Sequence, residues 1–256
     1  ALMRTPIVLL GTIILTSTLG AIVVLAGLFG VEEKADGIYQ RCMHAWCRGI
    51  MRMSGVRLVV HNPERMSSAT EGRVYISNHV SWFDIFALAS IVPRYTWIAK
   101  QELKRIPLFG RAAVTAGIVF IDRDNRKAAF ESYKLAAEDV KRGRSVIICP
   151  EGTRGRDYHL RPFKKGPFVL AIASQAPIIP TIVYGTREVM PKGSFRIRKG
   201  EVHVHFLEPV PTESYTYEDR ARLMETVWSR MAGEMKRLYG VQTAEDAVAL
   251  EGERKE

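Results

Sequence analysis

Apolar and polar residues follow two different periods along most of this chain. From Gly55 onward, short β-branched and aromatic runs alternate with stretches that have the 3.6-residue period of amphipathic helices. The predicted strands are Val56–His61, Val74–Asn78, Thr96–Ala99, Ile118–Ile121, Ser145–Cys149, Ile178–Tyr184 and Val202–Leu207. The predicted helices are Ile85–Ile91, Gly110–Ala116, Arg126–Arg142, Gly166–Ser174 and Tyr217–Tyr239. This alternation predicts an α/β fold, with a central, mostly parallel or mixed sheet of about seven strands covered by helices.

The first part of the chain has a different pattern. Residues 6–30 contain no charged residue and are dense in Ile, Leu and Val. The length of this segment exceeds the roughly 20 residues needed to cross a bilayer core. A cleaved signal peptide is less favoured, because its apolar core usually has roughly 7–15 residues. The small, polar centre Thr16–Gly20 would also let the segment bend and stay in one leaflet. Membrane association is therefore predicted, and spanning and single-leaflet insertion both stay open.

Residues 34–54 are predicted to form a cationic amphipathic helix. On a helical projection Arg41, Arg48 and Arg52 lie within about 20° of one direction, and apolar residues including Trp46 fill the opposite arc. This arrangement is typical of a helix that lies in the membrane interface against anionic headgroups. An ordinary surface helix that packs on its own domain is an equally good interpretation.

These patterns divide the chain into three parts. Residues 1–54 form the membrane-associated helical segment, 55–241 the α/β domain, and 242–256 a polar tail expected to be frayed. Basic residues such as Lys34 follow the apolar run, whereas Arg4 alone precedes it. If the run spans the membrane, this asymmetry places the α/β domain on the cytoplasmic side of the inner membrane.

Composition narrows the classes of partner. The formal net charge is +10 and the pI about 9.6, so anionic partners are expected. The sequence contains none of the helix-turn-helix, zinc-finger or ribonucleoprotein patterns that would favour nucleic acid. The odd set of Cys42, Cys47 and Cys149 is typical of reduced thiols in a cytoplasmic compartment.

A histidine and an aspartate lie at the start of one predicted helix. His79 follows the strand Val74–Asn78, and Ser81 with Asp84 three residues later is a helix N-cap pattern. With His79 outside the helix, Asp84 in the first turn can reach back to the imidazole. The helix N-terminus disfavours imidazolium, so we expect a neutral ring that accepts a proton. The pair predicts a general base, and a plain helix cap is the alternative.

A second strand end carries groups suited to phosphate. The strand Ser145–Cys149 leads into the sequence Pro-Glu-Gly-Thr-Arg, residues 150–154. Exposed backbone N–H groups, a hydroxyl and a guanidinium in one turn are the parts of a phosphate clamp. Strand ends that lead into such loops are where open α/β sheets bind ligands. Further basic residues could converge there, and each could equally be a solvated surface cation: Lys100, Arg123, Lys164 and Lys165.

Taken in order, these motifs resemble the glycerolipid acyltransferase family, in particular the 1-acylglycerol-3-phosphate acyltransferases of bacterial type. The likeness covers roughly residues 56–210. It rests on Asn-His-Val-Ser-Trp-Phe-Asp at 78–84, Pro-Glu-Gly-Thr-Arg at 150–154, and the segments 100–110, 117–123, 163–166 and 179–182. Cys149, where the family often has Phe, and Gly155, where Ser is usual, depart from the pattern. Neither departure puts a predicted catalytic residue in doubt.

The resemblance implies a glycerol-3-phosphate acyltransferase-like fold and a reaction in phospholipid biosynthesis. His79, oriented by Asp84, would take the proton from the sn-2 hydroxyl of lysophosphatidate, which then attacks an acyl thioester to give phosphatidate. Backbone N–H groups near the 78–81 turn are candidate oxyanion donors. No cofactor is implied, and the co-substrate is acyl-CoA or acyl carrier protein thioester. The family pattern gives acceptor-binding roles to Glu151, Gly152, Thr153 and Arg154, with Lys100 and Arg123 as further phosphate partners.

Several other functions stay open. Within enzymes, the alternatives are acylation of glycerol 3-phosphate or another lysolipid, and hydrolysis of the thioester. The pair Trp82 and Phe83, with Pro150, resembles the lysophosphatidate group more closely. Outside enzymes, the chain could be a non-catalytic membrane protein that binds anionic lipid, but such a protein would not need a His–Asp pair beside a phosphate loop.

A metal site is not predicted. His203 and His205 alternate on a strand, so both side chains point to one face and could ligate a metal. Because no Cys or carboxylate ligand lies nearby at a fitting spacing, a solvated strand face is the favoured interpretation.

Overall fold

A seven-stranded mixed sheet forms the centre of the molecule. The computed structural model describes residues 4–122 and 125–242. The strands are β1 (Val56–His61), β2 (Val74–Ser77), β3 (Tyr95–Lys100), β4 (Val119–Ile121), β5 (Ser145–Ile148), β6 (Ile178–Tyr184) and β7 (Gly200–Phe206). Their order is β1-β7-β6-β2-β5-β3-β4. Only the β6–β7 pair is antiparallel among the described pairs, which confirms the predicted sheet.

Eight α-helices accompany the sheet in the described part of the chain. They are α1 (Arg4–Leu28), α2 (Ile38–Met53), α3 (Trp82–Ala89), α4 (Phe109–Thr115), α5 (Arg126–Lys141), α6 (Gly166–Ser174), α7 (Thr186–Val189) and α8 (Arg220–Tyr239). The pattern missed the one-turn helix α7 and two 3-10 turns, at Pro63–Arg65 and Gln101–Arg105. Elements this short have no apolar period that a sequence could display.

Helices cover both faces of the sheet, and the inner strands are therefore buried on both sides. Tyr75 and Ile76 are adjacent on β2, are fully buried, and belong to different apolar clusters. Successive side chains of a strand point to opposite faces, so Tyr75 packs in the apolar layer on one face and Ile76 in the layer on the other. Phe83 of α3 and Cys47 of α2 belong to the first cluster, and the second contains residues of α5, α6 and α8.

The apolar N-terminal segment forms one unbroken helix, α1, through Thr16 and Gly20. It is the one helix in the described ranges that is long and apolar enough to cross a membrane by length and composition. Most of its apolar side chains are exposed, including Leu10 and Ile14. The indole Nε1 of Trp46 on α2 donates to Thr16 Oγ1 at 2.9 Å. An apolar helix with an open side is what membrane association requires.

Helix α2 packs on its own domain. Its apolar residues, such as Cys47 and Ile50, are buried in the core that the sheet shares, whereas Arg41, Arg48 and Arg52 are exposed. The apolar side of α2 is therefore covered by protein, and it is the arginine side that can face anionic headgroups. The predicted frayed tail falls almost wholly at 243–256, outside the described residues.

Candidate active site

The two sequence motifs meet at the carboxyl ends of neighbouring strands. Strand β2 pairs in parallel with β5, with Val74 opposite Val146, so the loops that follow both strands lie at one edge of the sheet. The Gly155 N–H donates to the His79 carbonyl at 2.6 Å. The loop at residues 150–155, which we call the phosphate-type loop, is thereby joined directly to the turn that carries His79.

Asp84 holds the His79 ring and the turn beside it. Its Oδ2 lies 2.9 Å from His79 Nδ1 and accepts the backbone N–H groups of Val80 at 2.7 Å and Ser81 at 2.8 Å. Its Oδ1 accepts the hydroxyl of Thr186 on α7. The carboxylate is fully buried, and its bonds fix the orientation of the imidazole. With Nδ1 bound to Asp84, Nε2 is the ring atom left to accept a proton from a substrate.

The electrostatic state of His79 differs from the sequence expectation. Burial favours the neutral ring, but the nearby sulfur of Cys149 and the Asp84 carboxylate outweigh burial and raise the pKa of His79 to about 10. The sequence predicted a ring kept neutral by the helix N-terminus, but the Cys149 sulfur and the Asp84 carboxylate favour the protonated ring. The neutral, proton-accepting form of His79 therefore becomes more abundant as the pH rises.

The carboxylate of Glu151 faces the protein. Its Oε1 accepts the His79 backbone N–H at 2.8 Å, and its Oε2 accepts Arg161 Nε at 2.8 Å. Glu151 is buried, and burial raises the pKa of its carboxyl despite the opposing influence of Arg161. In this position the side chain holds the His79 turn, and its predicted contact with substrate stays a prediction.

Arg154 lies beside the histidine motif. Its guanidinium stacks over the Trp82 ring at 4.9 Å from the centroid, and its carbonyl accepts Lys192 Nζ at 2.7 Å. Partial burial lowers the pKa of Arg154, and attraction to Asp84 opposes that effect. The stacking on Trp82 holds the guanidinium next to the first turn of α3.

A cavity of about 630 Å³ opens from His79 and combines two kinds of wall. Its polar and cationic lining includes Lys100, Gly152, Thr153, Arg154 and Lys164. Much of the remaining lining is apolar and comes from α1 to α4 and from β3. Lys100 forms an ion pair with Glu102 at 2.5 Å, which an anionic ligand would have to compete with. Predicted Arg123 lies outside the described residues.

Several site residues could not be found from the sequence. Thr186 and Arg161 reach Asp84 and Glu151 from distant or unremarkable sequence positions. The amide of Asn78 donates to the Val183 carbonyl at 2.9 Å and accepts the Val183 N–H at 2.8 Å, which fastens the turn to β6. No local pattern encodes such contacts between distant segments.

The expectation for the oxyanion donor requires correction for three of the four residues of the 78–81 turn. The backbone N–H of His79 is bonded to Glu151, and those of Val80 and Ser81 are bonded to Asp84. These amides stabilise the turn itself and are not available to a developing oxyanion. Cationic side chains that line the same cavity as His79, such as Arg154, are alternative donors.

Comparison with known proteins agrees with this geometry. Residues 57–184 match the protein family described as Acyltransferase. The 1-acyl-sn-glycerol-3-phosphate acyltransferase of Cocos nucifera is 36% identical over 186 residues, which are 72% of this chain and 59% of that protein. The Saccharomyces cerevisiae protein of the same name is 32% identical over 220 residues, 84% of this chain and 71% of that protein.

A solved structure has the same fold. The crystal structure titled 1-acyl-sn-glycerophosphate (LPA) acyltransferase, PlsC, from Thermotoga maritima matches with a TM-score of 0.72 at 24% identity, over 92% of this chain and 98% of that one. The fold, the paired histidine and aspartate, and the family match together define the class: this chain belongs to the acyltransferase family. The matches span 59% and 58% of the length of the Cocos nucifera and Limnanthes douglasii relatives.

Proposed function

We propose that this protein transfers a fatty acyl group from an acyl thioester to the sn-2 hydroxyl of lysophosphatidate, producing phosphatidate for phospholipid synthesis. One observation supports this function above others. His79, held by Asp84, lines a cavity whose wall combines cationic and apolar side chains. A lysophospholipid has the matching chemistry, with a phosphate beside a free hydroxyl and an apolar chain attached.

The reaction needs a base and a positioned acceptor. His79 Nε2 accepts the proton of the acceptor hydroxyl while Asp84 holds Nδ1 and stabilises the imidazolium that forms. The hydroxyl oxygen attacks the thioester carbonyl and forms a tetrahedral intermediate. Its collapse breaks the C–S bond, and the imidazolium returns the proton to the leaving thiolate. The acceptor oxygen is itself the nucleophile, so no serine or cysteine of the protein has to be acylated.

Cationic side chains favour a phosphorylated acceptor. Arg154, Lys164 and Lys100 line the same cavity as His79. A guanidinium binds phosphate through two parallel hydrogen bonds, and ammonium groups add point charges. With the phosphate held there, the neighbouring hydroxyl of the glycerol unit can reach Nε2. Glycerol 3-phosphate would keep the phosphate but lose the contacts of the acyl chain with the apolar wall.

The location of the cavity favours a membrane-bound acceptor. Ile13 and Ser17 of α1 line it, and the same helix exposes Leu10 and Ile14 on its outer side. An acceptor lipid could therefore enter from the bilayer without crossing water. In this arrangement the domain faces the cytoplasm, where acyl-CoA and acyl carrier protein thioesters are available as donors.

The test is an assay of the purified chain in mixed micelles, with product identified by its mass. Lysophosphatidate, glycerol 3-phosphate and lysophosphatidylcholine are offered as acceptors, each with acyl-CoA or acyl carrier protein donor. We expect phosphatidate from lysophosphatidate, and loss of about 10²–10⁴-fold in turnover for His79→Ala. His159→Ala is the matched control, because His159 is an exposed histidine paired with Asp157.

The outcomes separate the alternatives. Thiol release that does not depend on an acceptor would identify a hydrolase. Equal turnover with lysophosphatidylcholine and lysophosphatidate would show that the enzyme does not prefer a phosphate monoester. Binding to lysophosphatidate vesicles without formation of any product would identify the chain as a non-catalytic lipid-binding protein. Wild-type turnover by His79→Ala would contradict the assignment of the base.

A further inference from the structure

Three histidines from two strands lie together on one face of the sheet. His61 ends β1, and in the parallel register of β1 with β7 it stands opposite His205, while Val59 stands opposite His203. His203 and His205 are two residues apart, so their side chains point to the same face. The potential ligand atoms of the three residues all lie within 4.8 Å of one another. The sequence pointed only to the two histidines of β7, and the fold adds the third.

The spacing of two of these rings already suits a metal. His61 Nε2 lies 3.0 Å from His203 Nδ1. Two nitrogen ligands at 2.0–2.1 Å from a tetrahedral zinc ion are about 3.3 Å apart. The distance between the two nitrogens is therefore close to that needed for one shared ion, but the two rings are only 17° from parallel and must turn before both lone pairs point at it.

Two neighbouring groups orient the rings as outer-shell partners do. Glu201 Oε1 lies 3.0 Å from His203 Nε2, and the Tyr239 hydroxyl lies 2.6 Å from His205 Nε2. A metal-bound histidine usually donates its second ring nitrogen to a carboxylate or another oxygen, which fixes its tautomer and orientation. In both residues Nδ1 is then the nitrogen left for a metal ion.

Binding requires more than one ring to turn, because the His203 ring lies within 17° of His61 and 16° of His205. The rings of His61 and His205 are stacked, with centroids 4.0 Å apart and planes 2° from parallel. Nitrogen lone pairs lie in the ring plane, so two parallel rings cannot both point at one ion. His205 is buried and held by Tyr239. His61 and His203 are only partly buried, so these are the two rings that can rotate about their Cβ–Cγ bonds.

We propose that His61, His203 and His205 bind one Zn²⁺ ion, with solvent as a fourth ligand. Three neutral imidazoles favour zinc and related transition metals over Mg²⁺ or Ca²⁺, which prefer oxygen ligands. None of the three histidines lines the cavity at His79, so the site is separate from the acyl-transfer centre. The bound ion would join β1, at the edge of the sheet, to β7 and stabilise the folded chain.

The experiment is calorimetric titration of ZnCl₂ into the full chain, stripped with chelator and carrying no histidine tag. We expect one ion per chain, together with a rise in the melting temperature when Zn²⁺ is added. Glu201→Gln should weaken binding by roughly 10- to 100-fold, as for other outer-shell partners. His203→Gln and His61→Gln remove direct ligands and should weaken binding further.

Two controls make the result decisive. His159→Gln removes an exposed histidine elsewhere and should bind Zn²⁺ as the wild type does. Cys149→Ala should also retain the ion, which excludes binding at Cys149 and His79. Each variant is melted without metal first, so that loss of folding is not taken for loss of binding. Absence of binding to the wild type, or unchanged binding by both ligand variants, would overturn the proposal, as would loss of binding in Cys149→Ala.

Discussion

The backbone N–H of His79 donates to the carboxylate of Glu151 at 2.8 Å. One residue of the phosphate-type loop therefore holds the main chain of the histidine turn, and Arg161 holds the other oxygen of the same carboxylate at 2.8 Å. This arrangement links the position of His79 to the loop that would bind the acceptor in the proposed reaction. It assigns Glu151 the role of a positioning residue in the proposed reaction.

We predict that Glu151→Gln lowers kcat by about tenfold and leaves the KM for lysophosphatidate nearly unchanged. Glutamine still offers an oxygen to His79 N–H, but it loses the charge that strengthens this bond and the bond to Arg161. Steady-state kinetics with varied acceptor measure both parameters. A large rise in acceptor KM at constant kcat would instead place Glu151 in contact with the substrate.

The rate of transfer should rise with pH. Contacts with Cys149 and Asp84 outweigh burial and raise the pKa of His79 to about 10. Below this value the ring is mostly protonated and cannot accept a proton. We expect kcat/KM to increase about tenfold per pH unit between roughly pH 7 and 9, and to level off near pH 10. A profile that is flat above pH 7 would show that the base titrates lower.

Cys149→Ala should move that profile to lower pH. The sulfur of Cys149 is the foremost of the influences that raise the pKa of His79, so its removal lowers the pKa and enlarges the neutral fraction at pH 7. The same pH series on wild type and variant gives the shift. Cys42→Ala is the control, because Cys42 is buried in α2. Equal profiles for wild type and Cys149→Ala would show that Asp84 alone sets the pKa.

Loss of the Arg154 guanidinium should weaken acceptor binding. Arg154→Ala removes a cation that lines the cavity and stacks on Trp82. We expect the KM for lysophosphatidate to rise by about 10- to 100-fold, the range of a lost charge-assisted pair. The KM for thioester should change far less. Arg156→Ala, which removes an exposed arginine two residues away, is the control. A selective rise in thioester KM would assign Arg154 to the donor.

The exposed side of α1 should bind the bilayer. Leu10 and Ile14 are 60% and 53% exposed, so Leu10→Glu with Ile14→Glu places two charges where apolar contact with lipid is expected. We predict that most of the variant stays unbound in a vesicle flotation assay, because an ionised side chain is costly in the hydrocarbon. Leu135→Glu on α5, at a position 69% exposed, should float as the wild type does. Equal flotation of all three proteins would exclude α1 as the anchor.

The sequence by itself determined the elements and the central pair. Strand patterns, the N-cap at Ser81 and the position of Asp84 depend on residues close together in the chain, where the period of side chains and the capping chemistry operate. For this reason all seven strands and the contact between His79 and Asp84 follow from the local pattern. The apolar character of α1 was likewise visible in composition alone.

Only the tertiary structure decided which distant groups surround that pair. Thr186 lies 102 residues from Asp84, and His61 lies 142 residues from His203, so only the folded arrangement of distant elements brings them together. The inward orientation of Glu151, the use of the backbone N–H groups of residues 79–81, and the effect of Cys149 on His79 have the same origin. Hydrogen bonds and electrostatic effects depend on distances in space. A sequence pattern does not contain the distances between segments that are far apart in the chain.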